Sequence, residues 1–300
     1  MKSIGRIYIF LLLIVLIYSA AVFAQSDSAK AKIAGIIEQA KGRVGVAIMG
    51  LERPDTLTFN NNDCYPMQSV YKFPLALAVL SEVDKGIFSL NQKIHLTNED
   101  LLPNTWSPLR DKYPHGNINI TLRELLRFTV TESDNNGCDI LFRLLGGTAK
   151  INQFIHNLGI NGMSIAATEE EMHKDRTVQY KNCSTPSAMG QLLLKFAQDS
   201  ILSKSSKDFL WDILASNIYG GGRIKGQLPA GTIVAHKTGS SGTNDNGIAA
   251  ATNDAGIVTL PNGRRFVIVV FVSDSNDNEK NRDGIIASIS KIAWDAYSTH

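Results

Sequence analysis

The sequence is poor in cysteine, and its three cysteines lie far apart, at Cys64, Cys138 and Cys183. Such a set allows at most one disulfide bond, which excludes a disulfide-rich scaffold and leaves the pairing open. The chain also lacks a Cys-x-x-Cys pair, and its six histidines do not have the spacing of metal ligands. We therefore expect no metal ion and no other cofactor.

Excess charge is lacking as well, and only one long hydrophobic run occurs. With 44% apolar and 19% charged residues, the chain is an ordinary globular sequence, and a single run excludes a polytopic membrane protein. The whole chain has 30 basic and 28 acidic residues, and two of the basic residues lie in the N-terminal leader described below. Removal of the leader therefore leaves 28 residues of each sign. This balance predicts no nucleic-acid partner and no stable membrane partner.

The hydrophobic run lies at the N-terminus and is typical of a secretory signal. Residues 1–24 begin with Lys2 and Arg6, continue through the apolar stretch 7–17, and end in a small-x-Ala site at Ala24. We predict cleavage near Ala24 and export to the periplasm or beyond it. An uncleaved N-terminal anchor is the alternative, because the run approaches the length needed to span a membrane.

Apolar periodicity in residues 25–300 predicts strands towards both ends of the chain and helices between them. Alternation of apolar with small or polar residues marks a strand at 43–49, and residues near 55–60 could form a hairpin with it. Strand character returns at 232–238, 247–260 and 264–273. Helical spacing marks the segments 33–40, 70–85, 121–131, 136–145, 151–158, 185–198, 206–215 and 281–297.

This order of elements predicts a single α+β domain. One antiparallel sheet is built from both chain ends and flanked by helices, in a sheet lobe of about 25–65 and 217–300. An all-helical lobe of about 66–216 is inserted in the middle. We expect the active site between the two lobes.

The first chemical motif places Ser69 and Lys72 one helical turn apart in Ser-Val-Tyr-Lys, at the head of an apolar helix. A lysine there can remove the serine proton if burial and neighbouring charges lower its pKa. The motif alone is weak, since a second copy starts at Ser288 in the C-terminal helix. We interpret that second copy as structural.

Two further motifs follow in order. Ser133-Asp134-Asn135 comes directly after the predicted helix 121–131, and Lys237-Thr238-Gly239 ends an apolar strand. Alone, the first could be a helix cap and the second an ordinary strand end. Together with Ser-x-x-Lys they form the ordered trio of class A β-lactamases and penicillin-binding proteins.

The sequence resembles the class A serine β-lactamases over roughly residues 27–297, most closely the PER/VEB-type extended-spectrum group. The resemblance is carried by these motifs and by LLPNTWSPL around Trp106, EEEMHKD from Glu169, GGRIKGQLP around Arg223, and IVAHKTGSSG. It implies the same sheet-plus-helical-lobe fold, hydrolysis of β-lactams, antibiotic resistance, small-molecule substrates as the only partners, and a monomer.

Glu169 distinguishes a hydrolase from its relatives. Both a β-lactamase and a penicillin-binding D,D-peptidase are acylated on serine, but only a hydrolase delivers water quickly to the acyl-enzyme, which requires a general base. Glu169 lies where the resemblance places that base, although three successive glutamates alone favour a solvated acidic run. A β-lactam sensor is the other alternative, and it would need a transmembrane partner segment.

The resemblance also assigns the remaining roles. Ser69 is the nucleophile, Ser133 relays a proton to the leaving nitrogen, and either Lys72 or Glu169 is the base for acylation. The backbone N–H groups of Ser69 and Ser240 form the oxyanion hole. The substrate-binding residues are Trp106, Asn135, His173, Arg223, Lys237, Thr238 and Ser240.

Three positions depart from the common family pattern and match the PER/VEB type. His173 replaces an asparagine that helps hold the deacylating water, and Ala167 and Asn182 replace an arginine and an aspartate that close the Ω-loop with a salt bridge. We expect a rearranged, roomier loop that admits bulky oxyimino-cephalosporins.

Overall fold

A computed structural model of the chain describes residues 27–53, 55–198 and 201–298. Its main sheet has five antiparallel strands in the order β2-β1-β10-β9-β8. The strands are β1 (Arg43–Gly50), β2 (Thr56–Phe59), β8 (Val234–Ser240), β9 (Ala249–Thr259) and β10 (Arg265–Ser275). The predicted sheet from both chain ends is confirmed. The predicted leader, residues 1–24, lies outside the described residues.

The helices lie on both faces of this sheet. They are α1 (27–39), α2 (Lys72–Asp84), α3 (Pro108–Lys112), α4 (Leu122–Thr131), α5 (Asn135–Leu145), α6 (Thr148–Asn157), α7 (Glu169–Lys174), α8 (Pro186–Ala197), α9 (Lys204–Ala215) and α10 (Glu279–Ser298). Short 3₁₀ helices occur at Gln68–Tyr71, Asn98–Asp100, Arg176–Lys181 and Ile224–Gln227.

The strands are apolar on both faces because each face has its own core. Along β1, Val44, Val46 and Ile48 join a cluster with α1 and α10, whereas Ala47 and Met49 join the larger cluster of the helical lobe. Side chains of a strand alternate between faces, so a strand buried on both sides reads as one apolar run. The helix α2 passes through the larger cluster and is buried from Lys72 to Ser81.

Several elements of the middle region were not predicted. The stretch interpreted as helical contains two small antiparallel sheets, one of β4 (Lys93–Leu96) with β5 (Ile118–Thr121), the other of β3 (Tyr65–Pro66), β7 (Cys183–Ser184) and β6 (Met163–Ser164). The helices α3 and α7 were also missed. These elements have two to six residues, too few for a hydrophobic period to show.

The one disulfide among the described residues joins Cys64 to Cys183, and Cys138 is free and buried. It connects the segment before Ser69 with the end of the segment that carries Glu169. No helix in the described part of the chain combines the length and apolar character needed to span a membrane.

Candidate active site

Ser69 and Lys72 meet at the junction between a 3₁₀ helix and α2. Ser69 lies in the 3₁₀ helix, and Lys72 is the first residue of α2. The Lys72 side chain is fully buried, and its Nζ donates a hydrogen bond to Ser69 Oγ over 3.1 Å. The predicted pair is therefore within hydrogen-bond distance.

Lys72 also contacts the other predicted chemical groups. Its Nζ lies 3.0 Å from Glu169 Oε1 and donates to the Ser133 carbonyl oxygen over 2.8 Å and to Asn135 Oδ1. A buried ammonium requires such partners, because an unpaired charge away from water is costly. The amine thus joins the Ser69 hydroxyl to the Glu169 carboxylate.

Ser133 lies opposite Lys237. The Lys237 Nζ donates to Ser133 Oγ over 2.9 Å and to the Thr238 carbonyl oxygen. Burial, and then the charge of Lys72, lower the pKa of Lys237 well below its usual range. Lys237 lies within β8, which extends to Ser240, two residues beyond the end predicted for this strand at 238.

Glu169 is the first residue of α7 and is 9% exposed. The helix begins with a capping box, in which Thr168 accepts from the Glu171 N–H and Glu171 accepts from the Thr168 N–H. Asp139 on α5 fixes the same turn, because its two carboxylate oxygens accept the N–H groups of Glu169 and Glu170, each over 2.8 Å.

Asp139 was missed by the sequence analysis. Burial raises the pKa of its carboxyl to about 6, and the Glu169 charge adds to this, although the two accepted N–H groups oppose it. A signal was available, since Asn135 and Asp139 are four residues apart and share one face of α5.

The Ω-loop, residues 166–182, is closed without an ion pair. The Asn182 side chain accepts the N–H groups of Ala166 and Ala167 over 2.8 and 2.9 Å and donates to the Ala167 carbonyl oxygen over 2.8 Å. The salt bridge of the common pattern is absent from these two positions, as expected. A neutral amide with three backbone hydrogen bonds holds the loop ends together instead.

The Gly239 backbone brings β8 against the segment that carries Ser69. A Cβ atom on Gly239 would lie 2.4 Å from the Met67 carbonyl oxygen and 3.2 Å from the Ser69 nitrogen, so this approach requires glycine. Backbone N–H groups along an antiparallel strand point alternately towards and away from the neighbouring strand. The Ser241 N–H donates to the Ala251 carbonyl oxygen of β9, so the N–H of the preceding residue, Ser240, points away from β9.

Arg223 is a buried residue, although it follows a run of three glycines. It is 5% exposed, its Nε donates to Asp283 Oδ1 over 2.8 Å, and one amino group donates to Ser240 Oγ over 2.7 Å. Its other amino group donates to the carbonyl oxygens of Gly239 and Asn253. The guanidinium is held in place beside β8.

A cleft of about 1100 Å³ opens above these groups. Of the sequence-predicted residues it is lined by Ser69, Trp106, Ser133, Asn135, Glu169, Arg223, Thr238 and Ser240. Trp106 is 55% exposed at its mouth and lies edge-on to Tyr219, which the sequence analysis missed, with ring centroids 6.0 Å apart. His173 lies outside this cleft, in an adjoining groove.

Asn135 is held on both sides of its amide. Its Oδ1 accepts from Lys72, and its Nδ2 donates to Thr105 Oγ1 over 2.8 Å. The Thr105 contact was not predicted. In the described part of the chain, no three His, Cys, Asp or Glu residues are grouped so that they could hold a metal ion.

Comparisons with known proteins agree with this geometry. A sequence model of the Beta-lactamase enzyme family matches residues 28–297. Beta-lactamase VEB-1 of Pseudomonas aeruginosa is 48% identical to this chain, and the matched region covers 99% of each of the two chains. Extended-spectrum beta-lactamase PER-1 of the same species is 40% identical over 94% of this chain and 92% of its own.

Solved structures give the same answer. The crystal structure of a beta-lactamase from Chitinophaga pinensis has a TM-score of 0.89 and 55% identity, over 90% of this chain and 100% of that one. That of TLA-1 extended-spectrum beta-lactamase has a TM-score of 0.89 and 54% identity, over 90% and 98%. With its fold, its ordered motifs and these full-length relatives, the chain belongs to the class A serine β-lactamases.

Proposed function

We propose that this protein hydrolyses the amide bond of penicillins and cephalosporins through an acyl-enzyme on Ser69. One observation carries the proposal: the Lys72 amine lies within 3.1 Å of the Ser69 hydroxyl and 3.0 Å of the Glu169 carboxylate. Nucleophile and deacylating base are thus reached from one buried group. A D,D-peptidase has no need of the second contact.

In the acylation step Ser69 Oγ attacks the lactam carbonyl carbon, and the ring C–N bond breaks. The serine proton passes to Lys72, whose Nζ lies 3.1 Å from the hydroxyl, or to Glu169 through a water molecule. Ser133 gives a proton to the departing ring nitrogen, and Lys237 orients it. The backbone N–H groups of Ser69 and Ser240 stabilise the oxyanion.

In the deacylation step Glu169 takes a proton from a water molecule, which attacks the ester carbonyl. The Ser69–carbonyl bond then breaks and the serine recovers its proton. General-base catalysis of this kind typically contributes about 10²–10⁴-fold. His173, four residues after Glu169 on α7, lines the adjoining groove and helps to bound the water site.

Charge and hydrogen bonding orient the substrate. The carboxylate of the β-lactam nucleus binds near Arg223, Lys237, Thr238 and Ser240, where cationic and hydroxyl donors converge. Asn135 bonds the acylamino group, and Trp106 covers the ring system at the cleft mouth. We further propose an extended spectrum, the property that the name of PER-1 gives for that protein, and we expect this spectrum to include oxyimino-cephalosporins.

Secretion is part of the proposal. We infer that the leader is removed near Ala24 and that the mature chain acts as a monomer in the periplasm, where it confers resistance by destroying the antibiotic. A purified mature chain that turns over both benzylpenicillin and an oxyimino-cephalosporin such as ceftazidime supports the extended spectrum. Undetectable cephalosporin turnover contradicts it.

Two variants test the mechanism. Ser69→Ala should abolish both hydrolysis of a chromogenic cephalosporin and acylation. Glu169→Gln should still be acylated, and its covalent adduct should accumulate and be visible by mass spectrometry, because deacylation slows by at least about 10²-fold. A wild-type protein that stays acylated by benzylpenicillin for hours would instead be a D,D-peptidase or a β-lactam sensor.

A further inference from the structure

A second, polar groove leads away from the Ser69 cleft. The two share Gln68, Asn135, Glu169 and Ser240 as lining residues. The groove holds about 860 Å³ and runs between the Ω-loop and the start of the β8–β9 connection at Ser241. A substrate group that passes Asn135 therefore enters it.

Arg176 lies in this groove at the start of the 3₁₀ helix Arg176–Lys181. Its side chain is exposed, and within the described ranges no carboxylate forms an ion pair with it. The nearby acidic residues have other partners: Glu169 contacts Lys72, Glu170 binds Lys174, Glu171 caps α7, and Asp175 accepts from Thr177. The guanidinium is thus the uncompensated charge of the groove.

The backbone under Arg176 is held in position. Gln179 Nε2 donates to the Arg176 carbonyl oxygen over 2.6 Å, and Gln179 Oε1 accepts from Gln68 Nε2. Gln68 directly precedes the nucleophile, so these bonds link Arg176 to the Ser69 segment. A fixed backbone lowers the entropy lost when the arginine binds an anion.

The substrate orientation leaves this charge for a second acid group. The carboxylate of the nucleus binds at the Arg223 end of the cleft, and the acylamino side chain leaves past Asn135 towards the groove. An anionic group at the far end of that side chain would meet Arg176, which can bind a carboxylate through two parallel N–H donors.

We propose that Arg176 is a specificity-determining residue that binds the terminal carboxylate of β-lactams whose acylamino side chain carries a second acid group, such as a carboxyalkyl oxime. This proposal rests on the proposed function. It makes the enzyme distinguish two substrates that share the same reacting ring.

The test compares an oxyimino-cephalosporin that ends in a free carboxylate with its methyl ester on that carboxylate alone. In Arg176→Gln, the kcat/KM for the acid divided by the kcat/KM for the ester should fall about fivefold, and the change should lie in KM. A fivefold change corresponds to the free energy of one well-formed exposed ion pair. Arg176→Glu should lower the ratio further, and added salt should reduce the difference between the variants.

Lys181→Gln is the matched control, since Lys181 carries the same charge on the same 3₁₀ helix and does not line the groove. Its ratio should equal that of the wild type. An unchanged ratio in both Arg176 variants, or an equal fall for acid and ester, overturns the proposal. A wild type that hydrolyses benzylpenicillin but neither of these compounds contradicts the proposed extended spectrum, and one that hydrolyses none of the three refutes the proposed function itself; both outcomes are distinct from those two.

Discussion

At the scale of single residues, the Asp139 carboxyl links protonation to the position of Glu169, the proposed general base. It holds the first turn of α7 through two backbone N–H groups, and burial raises its pKa to about 6. Protonation turns one acceptor oxygen into a donor, so one of the two N–H groups loses its partner. We therefore expect the position of Glu169 to depend on pH through a residue that does not line the Ser69 cleft.

We expect the deacylation rate constant to fall as the pH is lowered through about 6, and Asp139→Asn to be slow on both sides of that pH. Single-turnover deacylation across this range measures both.

The free energy of unfolding should change in the opposite direction. Between about 6 and 3.8 the folded chain keeps the proton and the unfolded chain loses it, so this group increases the free energy of unfolding as the pH falls. If Asp139→Asn keeps the inflection that the wild type shows near pH 6 in its deacylation rate constant, the assignment of this inflection to Asp139 is wrong.

Gly239 gives a second prediction at this scale. Gly239→Ala places a Cβ 2.4 Å from the Met67 carbonyl oxygen, so β8 and the Ser69 segment must separate. We expect a loss of about 1–3 kcal/mol in the free energy of unfolding and a lower acylation rate constant. Denaturant titration and pre-steady-state acylation measure the two effects.

Gly284→Ala serves as the control for Gly239→Ala. Gly284 lies in α10 with no atom within 4 Å of an added Cβ, and alanine favours a helix by up to about 1 kcal/mol over glycine. This variant should be as stable as the wild type or more so. Equal losses in both variants would show that the close approach at Gly239 is unimportant.

At the scale of elements, the six residues of α7 depend on their cap. Thr168→Ala removes the acceptor for the Glu171 N–H, which typically costs about 1 kcal/mol. Because α7 begins with Glu169, we expect slower deacylation with little change in acylation. Thr121→Ala removes the equivalent capping box of α4, which does not carry a catalytic group. It should lower stability by a similar amount and leave deacylation unchanged, as rapid-quench kinetics can show.

Long periodic elements were predictable and short ones were not. The strands β9 and β10 and the helix α10 have 11 to 20 residues, so the apolar runs of the strands and the helical spacing of α10 are visible in the sequence. The two-residue strands β3, β6 and β7 have no period, and their pairing is decided by tertiary contacts. The helix α7 starts with three glutamates, which alone indicate a solvated segment, and only its register with the other motifs identified Glu169.

The same limit applies to the site. Ser69, Lys72, Ser133 and Lys237 were predicted to act together because each belongs to a short motif with its own spacing, and they lie in one cluster. Asp139, Thr105 and Tyr219 were not predicted. Their importance comes from what they contact in three dimensions, which no local pattern records.

At the scale of the whole molecule, the Cys64–Cys183 disulfide closes a loop across 119 residues. A cross-link over so long a loop typically stabilises by about 2–4 kcal/mol through the entropy of the unfolded chain. The double variant Cys64→Ser/Cys183→Ser should lose about that amount in guanidinium titration. When both proteins are measured with reductant, their free energies of unfolding should be equal. A difference that persists with reductant would show that the substitutions act on packing in the folded state.

The sheet order has a consequence for the timing of synthesis. Arg43 pairs with Ser273, so the strand β1 lacks its neighbour β10, the central strand of the sheet, until nearly all of the polypeptide has left the ribosome. A nascent chain can assemble helical segments early, but its sheet has to wait for the last 40 or so residues, since contacts so distant in sequence form late. Ribosome-stalled chains that stop before residue 265 should therefore remain protease-sensitive throughout β1, and release of the complete chain should confer protection in a single step.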